Sequence, residues 1–301
     1  MQDVEPELKR ATLGQRIGNY VQLMKPGIMT LLVLEAVTTM VVAAGRKTSL
    51  VGIVYLALAG IFASGGSAAI NQYLERDKDI LMRRTDWRPV ATHRIPSRNA
   101  LVFGIALLAV SLVLSQVVFN FVATLMILFG ALSYIFLYTL LLKPRTEWNI
   151  VIGGVAGVFP ALTGWAAVTG TIGVPAIFIG VLVFLWTPPH FWGLSMKFKE
   201  DYVKTGYPML PVAKTEKQVV TWIVVSSIPL FVVSLLPAFV KGIGPFGLVY
   251  SLIAAAVVIP FVIIDIQMLR NPTRDNGFKA FLISLPYMFV LFGAMIAAAI
   301  I

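Results

Sequence analysis

The sequence predicts an all-α polytopic membrane protein, a bundle of nine transmembrane helices whose cytoplasmic loops cap a central cavity. Three observations support this fold class. Of the 301 residues, 58% are apolar and 13% are charged, whereas a soluble domain carries about 25% charged residues. The apolar residues form runs long enough to span a bilayer, which takes about 20 residues. The basic residues lie mostly in alternate loops between these runs.

Nine apolar runs bounded by glycine, proline or charged residues are the predicted spanning helices. They cover residues 27–45, 50–73, 99–117, 119–141, 148–169, 173–195, 218–239, 246–268 and 278–300. Residues 1–26 are predicted to form a cytoplasmic tail, and residues 27–301 a single membrane domain. The tail is acidic in part and has no apolar core, so we expect neither a secretory signal nor a transit peptide.

The charge distribution supports nine spans independently of hydropathy. The tail and the loops after the second, fourth, sixth and eighth runs hold 21 of the 24 basic residues, and the opposite loops hold only Arg46, Lys47 and Lys241. Because cytoplasmic loops are enriched in Lys and Arg, we expect the N-terminus in the cytoplasm and the C-terminus across the membrane. The same pattern explains the net charge of +10 without a nucleic-acid partner.

The second run continues without a break signal into NQYLERDKDILMRRTDWRP at residues 71–89. Asn71, Glu75 and Asp79 follow one another at intervals of four, so on a continuous helix they lie along one face, within about 80°. Their oxygens suit Mg²⁺, which takes one or two carboxylates and shares its other positions with substrate phosphate. The sequence therefore predicts that these three side chains are catalytic and bind the metal.

Basic residues near this stripe predict a diphosphate site, because guanidinium groups match phosphate oxygens and keep their charge. The predicted diphosphate-binding residues are Arg84, Arg88, Lys143 and Arg145. Just upstream, residues 63–69 read ASGGSAA. These small residues either permit close approach of a neighbouring helix or leave space for a ligand.

A second polar stretch follows the sixth run and reads WTPPHFWGLSMKFKEDYVKTGYPMLPV at residues 186–212. Lys197 and Asp201 are four apart at a cytoplasmic helix end, so they are further candidate catalytic residues that could face the first stripe. His190 lies deeper, and the two prolines before it are expected to interrupt the helix. Glu35 lies inside the first run, where a carboxylate is a functional candidate unless a Trp or Ser on a neighbouring helix binds it.

Taken together, the motifs resemble a known family. N-x-x-x-[DE]-x-x-x-D, M-x-R-T-x-x-R-P, W-T-P-P-H-F-W and D-Y-x-x-x-G-x-P-M-L-P-V are similar to motifs of the protohaem IX farnesyltransferases, a branch of the intramembrane aromatic prenyltransferase superfamily. The first motif indicates the superfamily, and the WTPPHFW and PMLPV stretches indicate the haem branch. Further matches are Lys25-Pro26, residues 142–165, Phe281, Ser284 and Tyr287.

The resemblance implies that farnesyl diphosphate, haem b and water react to give haem o and diphosphate, with Mg²⁺ as cofactor. It implies farnesyl diphosphate, haem b and the lipid bilayer as partners, and makes haem a synthase and cytochrome oxidase assembly factors candidate partners. Because the substrate contains iron, His190 is a candidate haem contact. A bacterial plasma (inner) membrane is the expected location.

The sequence departs from the wider pattern at three points. Residue 75 is Glu where many members have Asp, and the second motif offers Lys197 and Asp201 where other branches offer two carboxylates. His93 stands where the family often has Gly, so a haem-ligand role is not carried over to it. Two alternatives stay open: a sibling prenyltransferase acting on a quinone precursor or chlorophyllide, and a transporter of an amphipathic anion. Charges gathered at one membrane face rather than the midplane favour an enzyme.

Overall fold

The computed structural model describes residues 12–301 and is built from helices throughout this part. Nine of the described helices are long and apolar enough to cross a membrane, which confirms the predicted fold class and makes the chain an integral multi-pass membrane protein. Residues 1–11 of the predicted tail lie outside the described residues.

The first helix, α1 (Leu13–Leu23), precedes the first span. The spans are α2 (Pro26–Ala44), α3 (Leu50–Asp79), α4 (Ser97–Val118), α5 (Phe121–Leu132, continued by a π-helix at Ser133–Leu142), α6 (Asn149–Gly153) joined to α7 (Phe159–Thr169) by a 3₁₀ turn, α8 (Val174–Lys197), α11 (Glu216–Leu235), α12 (Leu248–Arg270) and α13 (Arg274–Ile300). Two short helices, α9 (Lys199–Thr205) and α10 (Leu210–Ala213), lie in the loop after α8.

Each predicted run corresponds to one of these spans. The most consequential difference in length is at α3, which continues beyond residue 73 to Asp79. Its N-terminus is capped by the Ser49 hydroxyl, which accepts a hydrogen bond from the backbone N–H of Gly52. The extra turns carry α3 out of its apolar segment with no interruption, as the interval of four in the polar stripe requires.

The small residues of α3 pack against α4. A Cβ added to Gly66 would lie 2.6 Å from the Gly104 carbonyl oxygen, and a Cβ added to Gly104 would lie 2.7 Å from that of Gly66. Close backbone contact of this kind is the usual role of small residues in membrane helices. At Gly66, the run therefore serves helix approach rather than ligand space.

The expectation that prolines interrupt the sixth span is wrong. Pro188 and Pro189 lie inside α8, which runs without a break from Val174 to Lys197, and both are buried. Prolines in membrane helices are tolerated where neighbouring groups satisfy the freed carbonyls. Thr187, directly before the two prolines, donates its hydroxyl proton to the Val183 carbonyl oxygen at 2.7 Å, a different carbonyl from those of Phe184 and Leu185 that the prolines free.

Candidate active site

The C-terminal end of α3, which the basic loops predict to be cytoplasmic, carries the predicted stripe. Asn71, Glu75 and Asp79 all lie on this one helix, and their exposed fractions are 1%, 5% and 3%. Polar groups buried to this extent must find partners, because an unpaired one costs several kcal/mol in an apolar surrounding. The stripe therefore depends on the elements packed around it.

Two lysines from distant parts of the chain reach the stripe. The Lys25 amine donates to Asn71 Oδ1 at 2.5 Å, and the Lys143 amine forms a buried ion pair with Glu75 Oε1. Lys25 has a φ of +52° directly before Pro26, a left-handed conformation that is uncommon for residues other than glycine. Each amine thus occupies an oxygen that a metal would use.

An arginine forms an ion pair with Asp79, the third residue of the stripe. Arg88 Nη1 lies 2.8 Å from both carboxylate oxygens of Asp79, and the side chains are 12% and 4% exposed. The Thr85 hydroxyl donates to the Asp79 carbonyl oxygen at 3.0 Å, so the loop after α3 folds back over the helix end. One basic side chain therefore faces each oxygen-bearing side chain of the stripe.

The π-helix after α5 determines where Lys143 lies. In this segment hydrogen bonds run from residue i to i−5: Lys143 N donates to the Tyr138 carbonyl oxygen at 2.9 Å, and the Thr139 hydroxyl donates to Tyr134 O at 2.9 Å. Asn71 Nδ2 donates in turn to Thr139 Oγ1 at 3.1 Å. π-Helices are rare and often occur at functional sites.

The second polar loop closes onto the first through Asp201. This carboxylate is buried, and its Oδ2 accepts a hydrogen bond from the backbone N–H of Arg84 at 3.2 Å. The Arg84 guanidinium donates to the Tyr202 hydroxyl at 3.1 Å. The Tyr207 hydroxyl lies 3.4 Å from Glu75 Oε1, and the Lys143 amine lies 4.7 Å from the Tyr207 ring centroid.

The structure does not bring Lys197 and Arg145 to the stripe. Lys197 is exposed and pairs with the exposed Asp275 at 2.7 Å. The expectation that Lys197 and Asp201 face the first stripe together is wrong for Lys197: α8 ends at Lys197 and α9 begins at Lys199, and of the two only Asp201 contacts the loop that follows the stripe. Arg145 is exposed, and its guanidinium donates to the carbonyl oxygens of Leu140 and Leu141.

Burial sets the proton affinities around the site. It lowers the pKa of Lys25 and of Lys143, and the Glu75 carboxylate acts in the opposite direction on both. Burial also raises the pKa of the Tyr207 phenol. This hydroxyl therefore keeps its proton at neutral pH and acts as a donor toward Glu75.

The stripe can be tested for its fit to a metal ion. Within residues 12–301, no three His, Cys, Asp or Glu side chains gather closely enough to hold a metal ion by themselves. The stripe offers one amide and two carboxylate groups, a donor set that suits Mg²⁺ if phosphate oxygens complete the coordination. The residues fit a magnesium ion that arrives with a phosphorylated substrate.

His190 lies on α8 against α13. Its Nδ1 is 2.6 Å from the Ser284 hydroxyl oxygen. Its ring stacks on Trp186, with centroids 4.0 Å apart and planes at 23°, and contacts Phe281 at 4.6 Å. His93, by contrast, is exposed in the loop after α3 with a φ of +57°.

Glu35 is fully buried in α2, and within residues 12–301 no Trp or Ser side chain binds its carboxylate, which was the alternative to a functional role. Neither of its carboxylate oxygens has a hydrogen-bond partner in that part of the chain. The Glu35 carbonyl oxygen accepts from the Thr39 hydroxyl, but this contact leaves the side chain unpaired.

Three residues of the site are not predicted as such from the sequence: Lys25, Tyr202 and Tyr207. The signal for Lys25 was its position, a lysine before a proline at the start of a span on the basic face. Both tyrosines lie in the DYVKTGYPMLPV motif, but a tyrosine in a loop has no spacing that indicates which acid it will meet.

The nine candidate spanning helices found in residues 12–301 form a bundle that carries buried acid–base pairs near one end. Residues 31–293 match the UbiA prenyltransferase family, and the chain belongs to this family. The resemblance predicted from the motifs is thereby confirmed.

Three similar curated proteins share one name. The chain is 37% identical over 298 residues to a "Protoheme IX farnesyltransferase" of Acidiphilium cryptum, covering 96% of this chain and 93% of the relative. It is 39% identical to the protein of that name from Parafrankia sp., covering 99% and 95%. A third, from Roseiflexus sp., is 38% identical over 92% of this chain, which spans about half (51%) of that relative.

Solved structures share the fold at lower identity. A digeranylgeranylglyceryl phosphate synthase superposes with a TM-score of 0.76 at 20% identity, covering 95% of this chain and 99% of the other. A UbiA homolog from Archaeoglobus fulgidus bound to GPP and Mg²⁺ has a TM-score of 0.67 at 18% identity, covering 92% and 99%. These likenesses establish the fold.

Proposed function

We propose that this protein transfers the farnesyl group of farnesyl diphosphate to a vinyl group of haem b, with addition of water, to give haem o and diphosphate. The reaction class follows from the family. The acceptor follows from the names of the relatives and from the WTPPHFW stretch around His190. The product would serve the assembly of haem-copper oxidases.

One observation carries the diphosphate site: each oxygen-bearing side chain of the stripe is paired with a basic side chain from elsewhere in the chain. When the stripe oxygens bind a metal, the three basic groups are free to turn to the diphosphate oxygens. Charge-assisted hydrogen bonds to phosphate then replace those to the stripe. The basic groups are Lys25, Arg88 and Lys143.

The chemistry that a bound Mg²⁺ supplies is neutralisation of the leaving diphosphate, and Asn71, Glu75 and Asp79 would hold it. Arg88 and Lys143 bind diphosphate oxygens directly. Arg84, positioned by Asp201 and Tyr202, adds a further positive charge at the rim. Lys197 and Arg145, both exposed, would contribute only from the periphery of the site.

Transfer begins when the bond between farnesyl C1 and the diphosphate oxygen breaks and the electron pair leaves with the diphosphate. An allylic cation remains, and aromatic faces stabilise cations. Tyr134 and Tyr138, stacked with centroids 6.0 Å apart, lie beside the basic cluster. The haem vinyl group then supplies the electron pair of the new C–C bond, and water adds to the resulting cation and releases a proton.

Both organic substrates are apolar, so entry from the bilayer suits them. We propose a bacterial plasma membrane with the N-terminus and the site on the cytoplasmic side and the C-terminus on the other. Positive charge in the loops at the site's end of the bundle supports this orientation. Haem a synthase and cytochrome oxidase assembly factors are the proposed protein partners.

The test is an assay of purified protein with farnesyl diphosphate, Mg²⁺ and either haem b or an aromatic acid, with products identified by mass. Haem o is expected. Glu75→Gln and Asp79→Asn should each abolish transfer, and Asp77→Asn, which changes an exposed carboxylate on the same helix, should retain it. Prenylation of the aromatic acid alone would overturn the acceptor, and full activity of both stripe variants would overturn the metal site.

A further inference from the structure

We propose that Ser284 is a positioning residue that holds His190 as the tautomer with its proton on Nδ1, so that Nε2 presents its lone pair to the haem iron. The inference rests on the proposed haem substrate. It concerns a serine on α13, at residues Arg274–Ile300, that faces α8 far from the diphosphate stripe in sequence.

The tautomer follows from counting protons at the Ser284 hydroxyl. A hydroxyl has one proton to donate and two lone pairs that accept. The Ser284 hydroxyl donates to the Phe281 carbonyl oxygen at 2.7 Å. Its contact of 2.6 Å with His190 Nδ1 is then one in which the hydroxyl accepts, so Nδ1 carries the proton. In a neutral imidazole the other nitrogen, Nε2, then holds the lone pair.

The ring is also fixed in orientation. Trp186 lies one turn before His190 on α8 and stacks on it, and the Trp186 indole N–H donates to the Ser284 carbonyl oxygen at 2.9 Å. Ser284 is therefore bonded to both aromatic residues. Nothing in residues 12–301 hydrogen-bonds to Nε2, and the His190 side chain is only partly buried.

This arrangement has the form of a metal-ligating histidine. Such residues donate the proton of the nitrogen that does not bind metal to a fixed acceptor, which sets the tautomer and the ring orientation. A purely structural contact between α8 and α13 would also hold the helices together, but it would not depend on which nitrogen carries the proton. The two roles therefore differ in their effect on ligation.

The experiment titrates the full-length protein in detergent with haem b and follows the Soret band, which reports on iron ligation. His190→Ala should remove the imidazole-ligated spectrum. Ser284→Ala should weaken haem affinity about ten- to hundredfold, as loss of such a second partner does, and Ser284→Thr should restore it. Ser111→Ala is the matched control, since this buried hydroxyl on α4 donates to the Ala59 carbonyl oxygen of α3 and so joins two helices away from His190.

A second measurement separates ligation from misfolding. Free imidazole should restore the spectrum equally in His190→Gly with and without Ser284→Ala, because a free ligand chooses its own tautomer. Unequal restoration would mean that Ser284 acts through the fold. If Ser284→Ala binds haem as the wild type does while His190→Ala does not, the role of Ser284 is overturned and the haem reaction stands. If neither changes the spectrum, His190 is not a ligand and the proposal fails, while formation of haem o by the wild type still decides the proposed function.

Discussion

Lys143 and Glu75 form a buried ion pair although 68 residues separate them in the chain. The pair joins the end of α3 to the end of the π-helix. It also places a positive charge beside a carboxylate that the proposed mechanism assigns to a metal. The stability of the fold and the proposed chemistry thus depend on the same two side chains.

Replacing either member of the Lys143–Glu75 pair by itself should destabilise the fold. Lys143→Met and Glu75→Gln should each lower the free energy of unfolding by about 3–5 kcal/mol, since each leaves the other group buried without its partner. The double variant should lose less than the sum of the two. Unfolding of the four proteins in one detergent measures this, and strictly additive losses would show that the pair is not coupled.

The pH dependence of transfer should report on Lys143. Burial lowers the pKa of its amine, so the folded protein loses this proton as pH rises through a value below that of an ordinary lysine. Activity then falls because the diphosphate loses a positive partner. Lys143→Arg should move the alkaline limb of kcat/KM for farnesyl diphosphate to higher pH, because a guanidinium keeps its proton. An alkaline limb at the same pH in both proteins would rule out Lys143 as its source.

Close packing of α3 on α4 should not accept a methyl group. Gly66→Ala would place a Cβ 2.6 Å from the Gly104 carbonyl oxygen, and overpacking of this kind costs about 1–3 kcal/mol. Gly293→Ala is the matched control, since nothing lies within 4 Å of its added Cβ. A midpoint of thermal unfolding that falls equally in both would contradict the proposed reason.

Burial should separate the basic residues by their effect on substrate affinity. Arg88→Ala should raise KM for farnesyl diphosphate about tenfold or more, because hydrogen bonds to charged groups contribute about 1.5–3 kcal/mol. Lys197→Ala should raise it much less, since Lys197 and its partner Asp275 are exposed and surface pairs are weak. Steady-state kinetics measures both values. A larger rise in KM for Lys197→Ala than for Arg88→Ala would show that Lys197 binds the diphosphate directly.

The nine spans and the α3 stripe are predictable from the sequence because each depends on local pattern. A run of about 20 apolar residues can satisfy its backbone only as a helix, and intervals of four align Asn71, Glu75 and Asp79 wherever the helix continues. The identity of the metal-binding residues can therefore be proposed before their surroundings are known.

Long-range pairing is not predictable in this way. Lys197 and Asp201 have the same interval of four, but a break between α8 and α9 points them in different directions. Lys25 meets Asn71 because α1 and α2 join at a turn with positive φ, which no interval in the sequence indicates. Pro188 and Pro189 lie inside a continuous α8, although proline in a sequence usually indicates a break in a helix.

The π-helix at Ser133–Leu142 makes the length of the fourth span part of the site. Each of its turns closes a ring one residue longer than an α turn. Deletion of the exposed Phe136 would leave the hydropathy of the span almost unchanged. It would nevertheless either convert a π turn to an α turn or rotate the residues that follow by about 100°, so the contact of Lys143 with Glu75 depends on helix type as well as on length. A change of length in this segment thus acts on the site through the backbone, even where the membrane would accept it.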